Sequence, residues 1–155
     1  MLIFIASCET METREPGLYG TFEERLAYGL AAYEIRDYVT ALKVLKPLAE
    51  KYDPSAAYIL GEIYGYAQGV QQDYKEAFKW YWRSGIQGYP RAQMVLASFY
   101  DGGVAVEKDR WHALQWYQCV YENEKSSAKD KFTAGLYIGN AFNFFSVEVE
   151  CHLDD

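Results

Sequence analysis

The chain has 155 residues, half of them hydrophobic and 17% aromatic, with a formal net charge of −7. That is enough apolar material for one packed domain or a short repeat array, and too much for a disordered tail. The acidic balance and the lack of any clustered Lys/Arg run argue against nucleic acid as a partner, and no 18-residue apolar run offers a membrane-spanning helix.

Residues 1–20 form an N-terminal segment of their own. Apolar Leu2–Ala6 is followed by Ser7 and Cys8. A secretory signal calls for a basic start and an apolar stretch of about 7–15 residues, and this segment has neither. Yet IASC resembles a bacterial lipoprotein processing box with Cys8 as the lipid-bearing residue. Two readings stand. In one, the segment is the end of a lipoprotein signal, and the protein is periplasmic or bound to the outer membrane only through a lipid on Cys8. In the other, it is an ordinary apolar stretch packed locally, in a cytoplasmic protein.

From residue 21 to 145 the apolar spacing is helical. Thr21 with Glu24 reads as a capping box that opens a first helix. Ala27–Asp53 continues it, with Tyr28, Asp37 and Ala41 as marker positions and with Pro47 predicted to kink or shorten the second helix. The same phrase then returns at a step of 36 residues. DYVTALKVLK begins at Asp37, DYKEAFKWYW at Asp73 and DRWHALQWYQ at Asp109. Residues 54–89 and 90–125 superpose throughout. Ala56, Leu60, Gly61, Tyr64, Asp73, Ala77, Trp80 and Tyr81 meet Ala92, Leu96, Ala97, Tyr100, Asp109, Ala113, Trp116 and Tyr117. Ala56, Leu60 and Tyr64 share one helix face, as do Ala77, Trp80, Tyr81 and Ser84.

The helix ends are marked as well. Pro54 and Pro90 suit a first turn, where the missing N–H costs nothing. Asp73 with Glu76 predicts a second capping box. Gly69, Gly102 and Gly103 break the chain between helices. Each unit is therefore a helical hairpin, helix A then helix B. Gly61, Ala97, Ala77 and Ala113 let helices approach, and Tyr64, Tyr100, Trp80 and Trp116 fill the space beside them. One hairpin cannot bury those rings, whereas stacked hairpins can.

Residues 126–145 read as a fourth helix A or a capping helix, with Ala128 in register but Thr133 and Leu136 at the places of Gly61 and Tyr64. Residues 146–155 form an acidic tail. In it Val147, Val149, Cys151 and Leu153 alternate with Glu148, Glu150 and His152, which suits an extended segment lying on the solenoid. Cys151 falls on the apolar edge, and Cys119 lies near the end of its helix. In an oxidising compartment these two could form a disulfide; the alternative is two unrelated buried thiols. His112 reads as an exposed helix-face residue. His152 has acidic neighbours but no familiar metal-ligand spacing, so no metal or cofactor is expected. No nucleophile elbow or phosphate-binding loop occurs, and no enzyme is expected.

The pattern A-x3-L-[GA]-x2-Y-x2-[GA]-x-[GA]-V-x2-D-x3-A-x2-W-Y resembles the Sel-one-like repeat (SLR) family, a relative of the tetratricopeptide repeats. The likeness covers residues 54–89 and 90–125, with 21–53 as a degenerate first unit. Ala67, Ala97 and Ala105 stand where the family prefers Gly. The resemblance implies an all-α, right-handed α/α superhelical solenoid that serves as a scaffold or adaptor for a peptide or protein partner in its concave groove. Mapped through the tetratricopeptide register, it places Ser55, Tyr58, Glu62 and Tyr66 of one unit, and Arg91, Met94, Ser98 and Asp101 of the next, on the groove. Small lipoproteins of this kind include immunity proteins that neutralise a secreted toxic effector. Disulfide-rich members associated with β-lactam binding carry paired cysteines in each repeat, and Cys8, Cys119 and Cys151 do not recur in that way. The competing reading is a small-ligand binder or hydrolase using His152.

Overall fold

A computed structural model describes residues 19–142 and residue 151. Among the described residues seven helices follow one another: α1 (Phe22–Glu34), α2 (Tyr38–Glu50), α3 (Pro54–Gly65), α4 (Tyr74–Gly85), α5 (Pro90–Gly102), α6 (Arg110–Glu122) and α7 (Ala128–Phe142). Each packs on its neighbours in the chain. In addition α1 touches α3, and α5 touches α7. The A helices α1, α3, α5 and α7 therefore make an inner row, with α2, α4 and α6 outside it. The architecture is the all-α repeat solenoid that the periodicity implied.

Local chemistry sets the helix starts. Thr21 and Glu24 form both halves of a capping box. The carboxylates of Asp37, Asp53, Asp73 and Asp109 each accept a backbone N–H in the first turn of the helix that follows. This satisfies donors that have no partner inside the helix. The Asp73 box is only half formed. Asp73 accepts from Lys75 and Glu76, but the Glu76 side chain turns to Lys79 at 2.9 Å instead of reaching back. Pro47 does not shorten α2, which runs through it for 13 residues, as long as α6. Leu45, Leu48 and Ala49 around it are buried, and their burial outweighs one missing backbone hydrogen bond.

The outer row keeps its 36-residue step. Ala41, Ala77 and Ala113 are all buried, as are Leu45, Tyr81 and Tyr117. The inner row slips once. A Cβ on Gly61 would sit 2.6 Å from the Tyr81 ring, and a Cβ on Gly29 would sit 2.5 Å from Leu45, which precedes Tyr81 by one repeat. Gly29 is thus the counterpart of Gly61, although it lies four residues later than the repeat step would place it. Tyr28 consequently leaves the position expected for it. The cause is the connection: only residues 35–37 join α1 to α2, whereas 66–73 join α3 to α4.

The two longer A-to-B loops share one backbone shape. Ala67 and Gly103 are both left-handed (φ 55° and 71°), and so are Gly69 and Ala105 (φ 72° and 63°). Each loop fills one such position with Gly and the other with Ala. An L-residue there is strained by about 1–2 kcal/mol.

Two stability predictions follow from this geometry. Gly61→Leu should lower unfolding free energy by about 1–3 kcal/mol through overpacking against Tyr81; an unchanged urea midpoint would remove the close-contact role. Ala67→Gly should raise it by about 0.5–1 kcal/mol, the relieved strain being partly offset by added freedom in the unfolded chain. A lower midpoint would contradict the loop geometry.

Candidate functional site

The predicted groove positions lie on α3 and α5, and the hydrogen bonding there centres on Glu62. Its Oε1 accepts a hydrogen bond from the Tyr58 hydroxyl at 2.7 Å, and its Oε2 accepts one from the Tyr33 hydroxyl of α1 at 3.1 Å. Tyr58 and Glu62 are one helical turn apart, which brings the hydroxyl to the carboxylate. Tyr33 reaches it because of the α1 slip, since α1 lies directly on α3.

Tyr58 needs a correction. The groove mapping offered its ring to a partner, but the residue is only 4% exposed. Tyr81 and Tyr89 close over it with ring centroids at 5.7 and 5.2 Å, and the Arg91 guanidinium covers it at 4.8 Å from the centroid. Aromatic side chains from the next helix and the following loop fill the space that the mapping left open. Tyr58 is a floor beneath the surface rather than a contact on it.

The other predicted positions divide. Tyr66, at the end of α3, is 67% exposed. Ser55 is tied into the α3 cap, its hydroxyl donating to Asp53 Oδ1 at 2.6 Å. On α5, Arg91 and Ser98 are exposed and Asp101 is half-buried. Met94 packs partly into the core. Further along, Tyr117 and Tyr137 stack face to face at 4.3 Å. Tyr137 is one repeat step after Asp101, so the 36-residue register carried one unit further would have found it. Tyr33 could not be found in that way, because α1 departs from the step.

Burial and Glu62 together raise the pKa of Tyr33 to about 12. Tyr58 and Tyr81 are also raised, in each case by burial first. Tyr117 rises to about 12, again through burial, with Tyr137 and Asp101 adding to it. These hydroxyls stay protonated across ordinary pH and remain donors. For Arg91, burial opposes the charge, but Tyr58, Glu62 and Tyr89 more than offset it and the pKa rises.

Away from the groove, His112 is an exposed residue of α6. Its Nδ1 lies 2.7 Å from Asp109 Oδ2 and its ring stacks on Tyr100 at 5.1 Å. Cys119 and Cys151 are joined by a disulfide with Cα atoms 4.8 Å apart. Cys8, His152 and the remaining tail residues lie outside the described residues. Among the described residues, no group of three His, Cys, Asp or Glu could hold a metal ion, and no helix is long and apolar enough to cross a membrane.

The family described as the Sel1 repeat matches residues 54–89 and 90–123. Solved structures share the fold, among them the following two. The crystal structure of a Sel1 repeat protein from Oxalobacter formigenes aligns with a TM-score of 0.66 at 22% identity, over 81% of this chain and 49% of that one. A protective antigen of uropathogenic Escherichia coli with an SLR fold aligns with a TM-score of 0.62 at 21% identity, over 80% of this chain and 30% of that one. The chain thus spans about half of the first protein and under a third of the second. A search of curated proteins finds no match.

Two measurements check these interactions. Tyr33 and Tyr117 titrate higher in the folded than in the unfolded protein, where tyrosine ionises near 10. Their stabilising contribution is complete below about pH 10 and is lost as pH rises toward about 12; urea midpoints that stay level across this window would contradict the burial of these hydroxyls. Removing the cross-link by Cys151→Ser should lower stability by about 2–4 kcal/mol, since it frees a 32-residue loop in the unfolded chain. Equal melting of the oxidised protein and the variant would contradict the bond.

Proposed function

We propose that this chain, a Sel1-repeat solenoid, holds a protein partner against the inner face of its A helices. Sel1-repeat proteins are protein-interaction modules in general, and typically scaffolds rather than enzymes. The observation that carries the groove reading is the fixed surface around Glu62: an anchored carboxylate, an exposed Tyr66 ring and a buried tyrosine floor. A ring of that kind offers large contact area at small entropic cost, and a rigid floor lowers the cost of ordering on binding.

The finer form of the proposal is an immunity protein that neutralises a secreted effector outside the cytoplasm. Acidity and the Cys119–Cys151 bond support it, because structural disulfides persist mainly in oxidising compartments.

The test is co-purification with the products of neighbouring genes, followed by affinity measurement on inner-face variants. Tyr66→Ala and Ser98→Trp should each weaken binding by about tenfold or more, with helical content unchanged. Full affinity in both variants would place the partner elsewhere. Tyr58→Ala is unsuited to this purpose. It should destabilise the fold by about 3 kcal/mol through an emptied core site.

A further inference from the structure

Resting on the groove reading above, we infer that the partner presents a cationic side chain, arginine or lysine, to the Glu62–Tyr66 edge of the inner face. Glu62 is positioned without being neutralised. Its two oxygens are held by the hydroxyls of Tyr58 and Tyr33, and neutral donors fix a carboxylate while leaving its charge in place. Arg91 does not cancel that charge by direct pairing. Among the described residues no Arg91–Glu62 ion pair forms within 4 Å, and the guanidinium lies instead over the Tyr58 ring.

That placement of Arg91 shows what this surface accepts. A guanidinium 4.8 Å above a tyrosine ring, close enough to Glu62 to feel its field, is a cation–π contact beside a carboxylate. Tyr66 follows Glu62 by one helical turn and is exposed. A second cation placed there would meet an open ring one helical turn from the same carboxylate. The charges along the inner face agree. On α3, α5 and, one unit further, α7, the repeat register gives it Glu62, Asp101 and Asp130, and Arg91 as a cation. Asp130 is likewise held by a neutral donor, the Ser127 hydroxyl at 2.7 Å. An anionic partner segment would meet like charge along this row, whereas a basic one would be steered to it.

The test is fluorescence anisotropy of the full chain with three labelled peptides, alternating glycine with arginine, glutamate or glutamine. The arginine peptide should bind at least about tenfold tighter than the other two, and should weaken as ionic strength rises from about 0.05 to about 0.5 M. Glu62→Gln should remove about tenfold of that affinity. Because this variant also disturbs two tyrosine hydrogen bonds, Arg91→Gln supplies an independent check. It removes a neighbouring cation and should tighten arginine-peptide binding. A glutamate peptide that binds as well as the arginine peptide, or weaker arginine binding by Arg91→Gln, overturns the inference. With a co-purified partner, loss of affinity in Tyr66→Ala but not in Glu62→Gln sinks the cationic partner and leaves the groove standing. No effect of Tyr66→Ala or Ser98→Trp sinks the groove itself.

Discussion

Everything in this fold depends on a small residue lying under a large one where helix A crosses helix B. At the α3–α4 crossing that pair is Gly61 beneath the Tyr81 ring, too close for even a methyl group. The first hairpin solves the same problem with Gly29 and Leu45, and the third buries Ala97 and Tyr117 at the equivalent repeat positions. The contact sets how near the two helices lie. That distance in turn fixes where each hairpin presents its remaining side chains to the next, since packed interiors transmit small displacements.

The inner-face network follows from this spacing. With Tyr81 laid over Gly61, its ring also reaches Tyr58, and Tyr89 closes from the following loop. Tyr58 is then confined to a rotamer that donates to Glu62, and α1 brings Tyr33 to the other oxygen. A polar group held this way costs little to bury because its hydrogen bonds are made. The same packing leaves Tyr66 and Arg91 on the surface. Core and candidate interface are therefore one construction: the rings that stabilise the hairpin also hold the carboxylate a partner would meet.

The far end is secured differently. Among the described residues α7 rests on α6 and part of α5, and Phe132, Leu136 and Tyr137 remain exposed along it. The bond from Cys119 in α6 to Cys151 closes a loop in the unfolded chain and so adds stability beside this helix.

The sequence by itself determined the helices, their order and their pairing into hairpins. Those properties are local and periodic: aspartates cap, prolines open helices, glycines break them, and alanines recur at 36 residues. Tyr66 as an exposed ring and His112 as a helix-face residue were legible for the same reason. Only the tertiary structure decided what depends on the distance between helices. The short α1–α2 connection moved Gly29 out of step and carried Tyr33 to Glu62, and a repeat count cannot register a deletion that packing absorbs. Tyr58 occupies a surface position in the repeat alignment, yet it is buried by Tyr81, Tyr89 and Arg91, which lie 23 to 33 residues further along the chain. Likewise α2 kept its length through Pro47, because burial of the neighbouring leucines outweighed a local preference. Where a residue's role rests on its own turn of helix, the sequence states it. Where the role rests on what a second helix brings against it, the packing distance decides.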